Sequence, residues 1–211
     1  MTDFNLPHIY WIGGSPCGGK STVAQIIADQ YHLNLYRIDD HIDRLMQHIS
    51  PEAQPALCQW QSQTWEERWM QTVDVLLEFV LQAYDEEFQL CMQEINNIPS
   101  TRPTVVEGNP LRPELVSPYL KDPHHAIWLI ADEEDLRYFY RQRVWAQQVV
   151  KECTDPQQAF EHWMKRDIAF ANQIRSACIT HQLPYLMSDR QLSLEVKAKK
   201  VASHFQLGCV L

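Results

Sequence analysis

The sequence lacks an excess of positive charge. Lysine and arginine together number 18 against 27 aspartate and glutamate residues, so the formal net charge of the 211-residue chain is −9. A polyanion such as DNA or RNA would meet overall repulsion instead of a basic face that releases counterions. We therefore expect no nucleic-acid partner.

The chain also lacks the marks of a membrane or exported protein. No apolar run approaches the roughly 20 residues that a membrane-spanning helix requires, and the first residues carry an acid where a signal peptide needs positive charge. The six cysteines form no C-x-x-C pair, which argues against zinc knuckles and redox dithiols. We expect a cytoplasmic protein with no membrane partner and with reduced thiols at Cys17, Cys58, Cys91, Cys153, Cys178 and Cys209.

Apolar periodicity predicts alternating strands and helices. Short runs rich in branched and aromatic residues indicate buried strands at 8–12, 33–38, 104–107, 126–130 and 184–187. Helical spacing predicts helices at 21–31, at 65–95 as one long helix or two in series, at 136–150, from 156 to about 180, and at 192–205. Because no internal repeat, low-complexity tract or long linker is present, we expect residues 1–211 to form a single domain.

A phosphate-binding loop follows the first predicted strand. The segment G-S-P-C-G-G-K-S, residues 14–21, matches G-x-x-x-x-G-K-[ST] in full and opens a predicted helix. Its glycines allow turns in which successive N–H groups point at phosphate oxygens, and the helix adds its positive dipole end. Lys20 is expected to reach the β- and γ-phosphates, and the Ser21 hydroxyl to bind Mg²⁺. The predicted ATP-binding residues are Gly14, Ser15, Pro16, Cys17, Gly18, Gly19, Lys20, Ser21 and Thr22.

Two other classes of phosphate-loop protein are disfavoured, because the chain contains neither the N-K-x-D segment of GTP-dependent switches nor the L-S-G-G-Q signature of transporter ATPases. The chain instead resembles the small-molecule and nucleotide kinases, the group that holds shikimate kinase, adenylate kinase and chloramphenicol phosphotransferase. The resemblance rests on W-I-G-G-S-P-C-G-G-K-S-T, on Y-R-I-D-D after the second strand, on V-V-E-G after the third, and on an arginine-rich helix after the fourth. The chain also resembles proteins known only as ATP-binding.

The resemblance implies a three-layer α/β domain of the phosphate-loop NTPase fold. Its five-stranded parallel sheet would have the order 2-3-1-4-5, with helices on both faces and the ligand at the carboxyl edge. In such kinases the acids after the second strand face the γ-phosphate and the acceptor hydroxyl, which here are Asp39 and Asp40. A carboxylate beside an alcohol can act as a general base. The alternative is that one of the two, Asp40 above all, caps the helix that follows.

Two acids compete for the role of holding the water shell of Mg²⁺. Glu107 ends the third predicted strand, and Asp132 follows the fourth. We favour Glu107, because Gly108 after it would let a substrate or phosphate approach closely, whereas Asp132 more simply opens an acidic helix turn. Arg112, slightly further on, could meet an anionic acceptor, although a surface position is the simpler interpretation.

An arginine-rich helix follows the fourth strand. Arg137 and Arg141 lie one turn apart on one face, and Arg143 is close by. In the kinases that the chain resembles, this is a lid whose arginines fold over the triphosphate and exclude water, here at about 133–170. The alternative is pairing with the three acids that precede the arginines, a common pattern on solvated helices. The segment contains no glycine hinge.

A long helical insertion at about 41–100 stands where such kinases build the acceptor pocket. Trp60, Trp65 and Trp69 could wall a pocket for a flat or apolar acceptor, although aromatic residues at helical spacing more often belong to a core. Cys17 stands near a helix start, so its thiol could be acidified, although a passive filler is the simpler interpretation.

The sequence thus predicts an enzyme, an Mg·ATP-dependent kinase acting on a small hydroxylated or phosphorylated acceptor. The predicted catalytic residues are Lys20, Asp39, Asp40, Arg137 and Arg141, and the predicted metal-site residues are Ser21 and Glu107. The alternative is an ATP-binding regulator or NTPase that has no acceptor. The sequence does not identify the acceptor, does not distinguish ATP from GTP, and does not decide whether the protein forms a homodimer.

Overall fold

A parallel five-stranded sheet forms the middle layer of the computed structural model, which describes residues 6–208. The strand order is β2-β3-β1-β4-β5, and each neighbouring pair is parallel. This arrangement confirms the predicted fold class and strand order. The strands are β1 (Ile9–Gly14), β2 (Asn34–Arg37), β3 (Thr104–Glu107), β4 (Ala126–Ala131) and β5 (Tyr185–Ser188).

Helices cover both faces of the sheet. In chain order they are α1 (Lys20–Tyr31), α2 (Ile38–Leu45), α3 (Pro55–Ser62), α4 (Trp65–Trp69), α5 (Val73–Ile95), α6 (Pro113–Val116), α7 (Glu133–Gln142), α8 (Val144–Val150), α9 (Pro156–Thr180) and α10 (Leu194–His204). Short 3₁₀ turns occupy Met46–His48, Ser117–Tyr119 and Pro123–His125.

The two faces of strand β4, which lies between β1 and β5, bury different cores. Ile127 and Leu129 pack in one cluster, with residues from α1 and α10. Trp128 and Ile130 point to the opposite face and join the larger cluster that α5 and α9 complete. Successive side chains of a strand alternate between faces, so a strand covered on both sides is apolar throughout. This explains the unbroken A-I-W-L-I-A run.

The structure differs from the predicted elements at two places that matter for the site. Strand β2 ends at Arg37, so Asp39 and Asp40 lie in the first turn of α2 instead of at the strand end. The predicted helix at 136–150 is broken at Arg143, whose backbone is extended (φ −84°, ψ 106°), into α7 and α8. The predicted 65–95 region is two helices in series, α4 and α5.

The described cysteines, at positions 17, 58, 91, 153 and 178, are free thiols. This agrees with the prediction for those five, and Cys209 lies outside the described residues.

None of the helices within residues 6–208 is both long and apolar enough to span a bilayer.

Candidate active site

The loop between β1 and α1 is pressed against strand β4. Gly14 has φ of 132° and Gly19 has φ of 86°, both in the region that favours glycine. A Cβ at Gly14 would lie 1.9 Å from the carbonyl oxygen of Leu129, and one at Gly18 would lie 2.3 Å from the same atom. Cys17 also has positive φ, at 61°. The glycines are therefore needed both for the turns and for the close approach to β4.

Ser15 fastens this loop to the sheet. Its amide donates to the Leu129 carbonyl at 3.1 Å, and its buried hydroxyl accepts a hydrogen bond from the Ala131 amide at 2.8 Å. Ser15 was predicted among the phosphate-binding residues. Its side chain and its backbone amide are both occupied in bracing the loop, so neither is a free donor for a ligand in this structure.

Unused amides gather at the end of this loop. Within residues 6–208, the N–H groups of Gly19, Lys20 and Ser21 donate to no backbone carbonyl. They belong to the N-terminal turn of the twelve-residue helix α1, which carries partial positive charge. An anion with several oxygens would satisfy these donors, as the motif predicts.

Lys20 is a buried cation at the centre of the site. Its side chain is only 7% exposed, and its Nζ donates to the Ser15 carbonyl at 2.7 Å and to Asn109 Oδ1 at 2.6 Å. Burial lowers the pKa of Lys20, and the charges of Glu107 and Asp39 act in the opposite direction. The ammonium is thus positioned before any ligand is bound.

Asn109 was not identified from the sequence. It follows β3 directly in the segment E-G-N, and in a parallel sheet the residues just beyond the carboxyl end of a strand are the ones that face a ligand. Its position directly after a strand could therefore have identified Asn109 as a candidate site residue.

Glu107 and Ser21 form a pair beside Lys20. Glu107 ends β3 and is 2% exposed. Burial raises its pKa, whereas the Lys20 charge and a hydrogen bond from the Ser21 hydroxyl lower it. A hydroxyl beside a carboxylate fits Mg²⁺, which prefers oxygen ligands and keeps several of its waters. No cluster of three or more His, Cys, Asp or Glu side chains suited to a metal occurs in the described part of the chain.

Asp132, the competing acid, is used elsewhere. Its side chain accepts a hydrogen bond from the Asp135 amide at 2.8 Å and caps α7. The structure also gives Gly108 a packing role. A Cβ there would lie 2.8 Å from Ile38 Cδ1, so the glycine is needed where α2 packs on the sheet, and the approach of a ligand to Gly108 stays a prediction.

The two acids of α2 have different surroundings. Asp39 is exposed and lines a cavity beside the phosphate loop, and its charge acts on both Lys20 and Glu107. Asp40 is exposed and forms an ion pair with Arg37 at 3.8 Å. Neither side chain caps α2, because no side-chain hydrogen bond occurs at its start. The structure therefore brings Asp39, but not Asp40, to the edge of the site.

The predicted lid arginines are not equivalent. Arg137 binds both carboxylate oxygens of Glu161, at 2.8 and 2.9 Å, and also pairs with Glu133 at 2.9 Å. Arg141 is exposed on the same surface. Arg143 was named from the sequence but not selected, yet its charge acts on Cys17 and Lys20. Of the three, Arg143 is the one coupled to the phosphate loop.

Of two further side chains, Arg112 departs from the simpler expectation and Cys17 does not. Arg112 is neither a surface residue nor free for an acceptor, because it is largely buried and pairs with Asp85 of α5. The thiol of Cys17 is not acidified. Burial raises its pKa to about 11, against the opposing charges of Arg143 and Lys20, and the passive interpretation stands.

A cavity of about 390 Å³ opens beside the phosphate loop. Pro16 and Asn109 line it on the loop side, and α2, α3, α4, α5, α7, α8 and α9 supply the other walls. Its aromatic lining residues are Trp60, Trp65, Trp69, Phe79, Tyr84, Tyr140, Trp145 and Trp163. The three tryptophans of the insertion are therefore cavity walls, although Trp69 also belongs to the core cluster.

Comparisons with known proteins do not assign this chain to a family. No protein-family model matches it, and neither does any curated protein. Similar solved structures include an uncharacterized protein from Eubacterium ventriosum ATCC 27560, at 12% identity over 94% of this chain and 98% of that one, with a TM-score of 0.44. They also include the shikimate kinase from Acinetobacter baumannii in complex with shikimate, at 14% identity over 92% and 90%, with a TM-score of 0.46.

A third similar structure is a provisionally named kinase from Chloroflexus aurantiacus J-10-fl. It is 15% identical over 93% of this chain and 97% of that one, with a TM-score of 0.42. Likeness at this level carries no information about activity, so the function has to be argued from the residues of the site.

Proposed function

We propose that this protein is an Mg·ATP-dependent kinase that phosphorylates a hydroxyl group of a small molecule bound in the aromatic cavity. One observation carries the proposal. The buried ammonium of Lys20 spans the phosphate loop, through the Ser15 carbonyl, and the cavity wall, through Asn109. A cation fixed between a polyphosphate site and an adjoining pocket is what phosphoryl transfer between two bound molecules requires.

The residues divide the work of transfer as follows. Amides of the loop and of the first turn of α1 bind the phosphate oxygens, and Lys20 compensates the charge that develops as the bond between the γ-phosphorus and ADP breaks. Ser21 and Glu107 would hold Mg²⁺, which neutralises charge on the β- and γ-phosphates when bound. The oxygen of the acceptor hydroxyl forms the new bond to phosphorus.

Asp39 is the group proposed to receive the proton of that hydroxyl. It lines the cavity, and its charge acts on Lys20 and Glu107 at the phosphate side. A carboxylate between the two substrates can orient the acceptor and accept its proton as the phosphorus–oxygen bond forms. A regulator or NTPase without an acceptor would need neither this acid nor a cavity of about 390 Å³ beside the phosphate loop, so the cavity favours the kinase.

The lid arginines remain part of the proposal. The charge of Arg143 already acts on Lys20. Arg137 would have to release Glu161 before it could bind a phosphate.

Three variants test the function. Lys20→Ala should lower ADP release in a coupled assay by about 10²- to 10³-fold with the far-ultraviolet circular dichroism unchanged. Asp39→Asn should lower transfer by a similar factor while Mg·ATP affinity, measured by calorimetry, changes little. Lys200→Ala removes an exposed lysine of α10 and serves as the matched control. Turnover by Lys20→Ala at the rate of the Lys200→Ala control would refute the proposal.

The acceptor can be sought with the same assay. A thermal-shift screen of nucleosides, nucleotides, sugars and antibiotics with Mg·ATP would rank ligands, and hits would pass to ADP release. A rate of ADP release that no compound increases would favour an NTPase without an acceptor.

A further inference from the structure

The charged side chains of the cavity are mostly acids. Asp39, Asp43 and Glu87 line it, and among the described lining residues Arg166 is the single cation. The charge of Arg166 is already matched, because its Nε lies 2.6 Å from Oδ1 of the buried Asp167. Apart from Asp39, whose charge acts on Lys20, the acids of the cavity form no ion pair with another described residue.

Glu87 is the most unusual of these acids. It stands on α5, is only 8% exposed, and forms no hydrogen bond or ion pair with another residue in the 6–208 range. Burial, together with the charge of Asp39, raises the pKa of Glu87 to about 8. Buried carboxyl groups usually have partners within the protein. A partner for Glu87 is thus missing on the cavity side.

The other titratable groups beside Glu87 supply no positive charge. They are Asp39 of α2 and, on α5 itself, Tyr84 and Cys91. Burial raises the pKa of the Cys91 thiol to about 12 and also raises that of the Tyr84 phenol, so both remain neutral near pH 7. In the ligand-free protein Glu87 is itself mostly protonated near pH 7, because its pKa is about 8. An ammonium group bound beside it would supply the missing positive charge, and Glu87 would release its proton on binding.

The aromatic walls suit the same kind of ligand. Trp69 and Trp163 stack with their ring centres 4.4 Å apart, and Tyr140 lies 5.1 Å from Trp163. The faces of aromatic rings attract cations. Within this wall, Arg166 lies 5.2 Å from the ring centre of Trp69, which shows that a cation is tolerated there.

We propose that the acceptor is a hydroxylated organic amine, whose ammonium group binds Glu87 among the aromatic rings and whose hydroxyl lies beside Asp39. This inference rests on the proposed function and names its substrate class. Asp39 and Glu87 line the same cavity and Asp39 acts electrostatically on Glu87, so one small molecule would carry both the hydroxyl and the amine. Phosphorylated and other anionic acceptors are disfavoured, because they would face carboxylates with no free cation.

Three probes of one shape and different charge test the class. They are 2-amino-1-phenylethanol, which is cationic, 1-phenylethane-1,2-diol, which is neutral, and mandelate, which is anionic. Each is titrated into the full chain with Mg·ADP, and binding is followed by tryptophan fluorescence, because five tryptophans line the cavity. The amine should bind at least about tenfold more tightly than the diol, and mandelate should bind most weakly.

Substitution of Glu87 tests whether its carboxyl group causes the preference for the amine over the diol. Glu87→Gln should bring the amine and the diol to similar affinities, whereas Glu78→Gln, on an exposed face of the same helix, should preserve the difference. If Glu87→Gln does not fold, Asp43→Asn at the same cavity should reduce the preference by a smaller factor. Equal or tighter binding of the diol or mandelate to the unaltered protein would overturn the proposal, as would failure of the amine to bind.

Nucleotide binding is measured first and separately. If the unaltered protein does not bind Mg·ADP, the proposed kinase function is contradicted. Normal Mg·ADP binding with no preference for the amine would overturn only the substrate class.

Discussion

Glu87 should make the stability of the protein depend on pH. In the unfolded chain its carboxyl ionises near the ordinary value of 4.5, whereas in the folded protein burial and Asp39 raise its pKa to about 8. Between these values the unfolded state has released a proton that the folded state still holds. The unfolded state then binds fewer protons, so the free energy of unfolding falls as pH rises through this interval.

The size of the effect follows from the same two values. Each pH unit between them is worth about 1.4 kcal/mol, so the full interval costs at most about 5 kcal/mol and is complete above pH 8. Relaxation of the cavity and entry of water would reduce this figure. Glu87→Gln keeps the shape of the side chain and has no proton to lose, so it should match the unaltered protein near pH 4.5 and exceed it progressively up to pH 8.

Urea unfolding at pH 5, 6, 7, 8 and 9, followed by circular dichroism, measures the difference. The difference in unfolding free energy between Glu87→Gln and the unaltered protein should rise with pH and level off above pH 8. Glu78→Gln controls for the loss of an exposed carboxylate on the same helix and should show little dependence on pH. A Glu87→Gln difference that is constant across the series would refute the reasoning.

Two further predictions concern the loop and the helix cap. Gly14→Ala would place a Cβ 1.9 Å from the Leu129 carbonyl oxygen at a φ of 132°, so it should cost more than about 3 kcal/mol in urea unfolding or abolish soluble expression. Asp132→Ala removes the cap of α7 and should cost about 1 kcal/mol, whereas Asp132→Asn should retain most of the cap. Both Asp132 variants should release ADP at the rate of the unaltered protein. A large loss of that rate would indicate that Asp132, and not only Glu107, takes part in the metal site.

The sheet and the phosphate loop could be predicted because their signals are local. The strands are short apolar runs, and the loop is one contiguous motif that requires glycine where the backbone touches β4. The position of Asp39 was harder to predict, because I-D-D continues an apolar strand without a break in the sequence. Strand β2 ends where its partner ends, since Arg37 pairs with Glu107, the last residue of β3. That limit is set by a strand about 70 residues away along the chain.

Only the part of the cavity that the insertion contributes could be predicted, for a similar reason. Trp60 and Trp65 come from the insertion, whereas Trp145 and Trp163 come from helices about 80 to 100 residues later, and only their packing encloses a space. Glu87 did leave a signal. Positions 80, 83, 84, 87 and 91 lie on one face of α5, and Glu87 is the single charged residue among apolar and aromatic neighbours. Because residues 85–87 are three acids in a row, the sequence there resembles an exposed charged segment, and the buried position of Glu87 is not evident.

The break between α7 and α8 bears on how a lid could act without a glycine hinge. Arg143 occupies the break, with its guanidinium 4.9 Å from the ring centre of Tyr140 and 5.8 Å from that of Trp145. Contacts of this kind are worth about 0.5–1 kcal/mol at exposed sites, less than charge-assisted hydrogen bonds to phosphate. For the proposed kinase, Arg143 could therefore turn from the rings to a triphosphate by a change of side-chain rotamer. Trp145 also lines the cavity, so one of the two rings that Arg143 contacts belongs to the proposed acceptor wall.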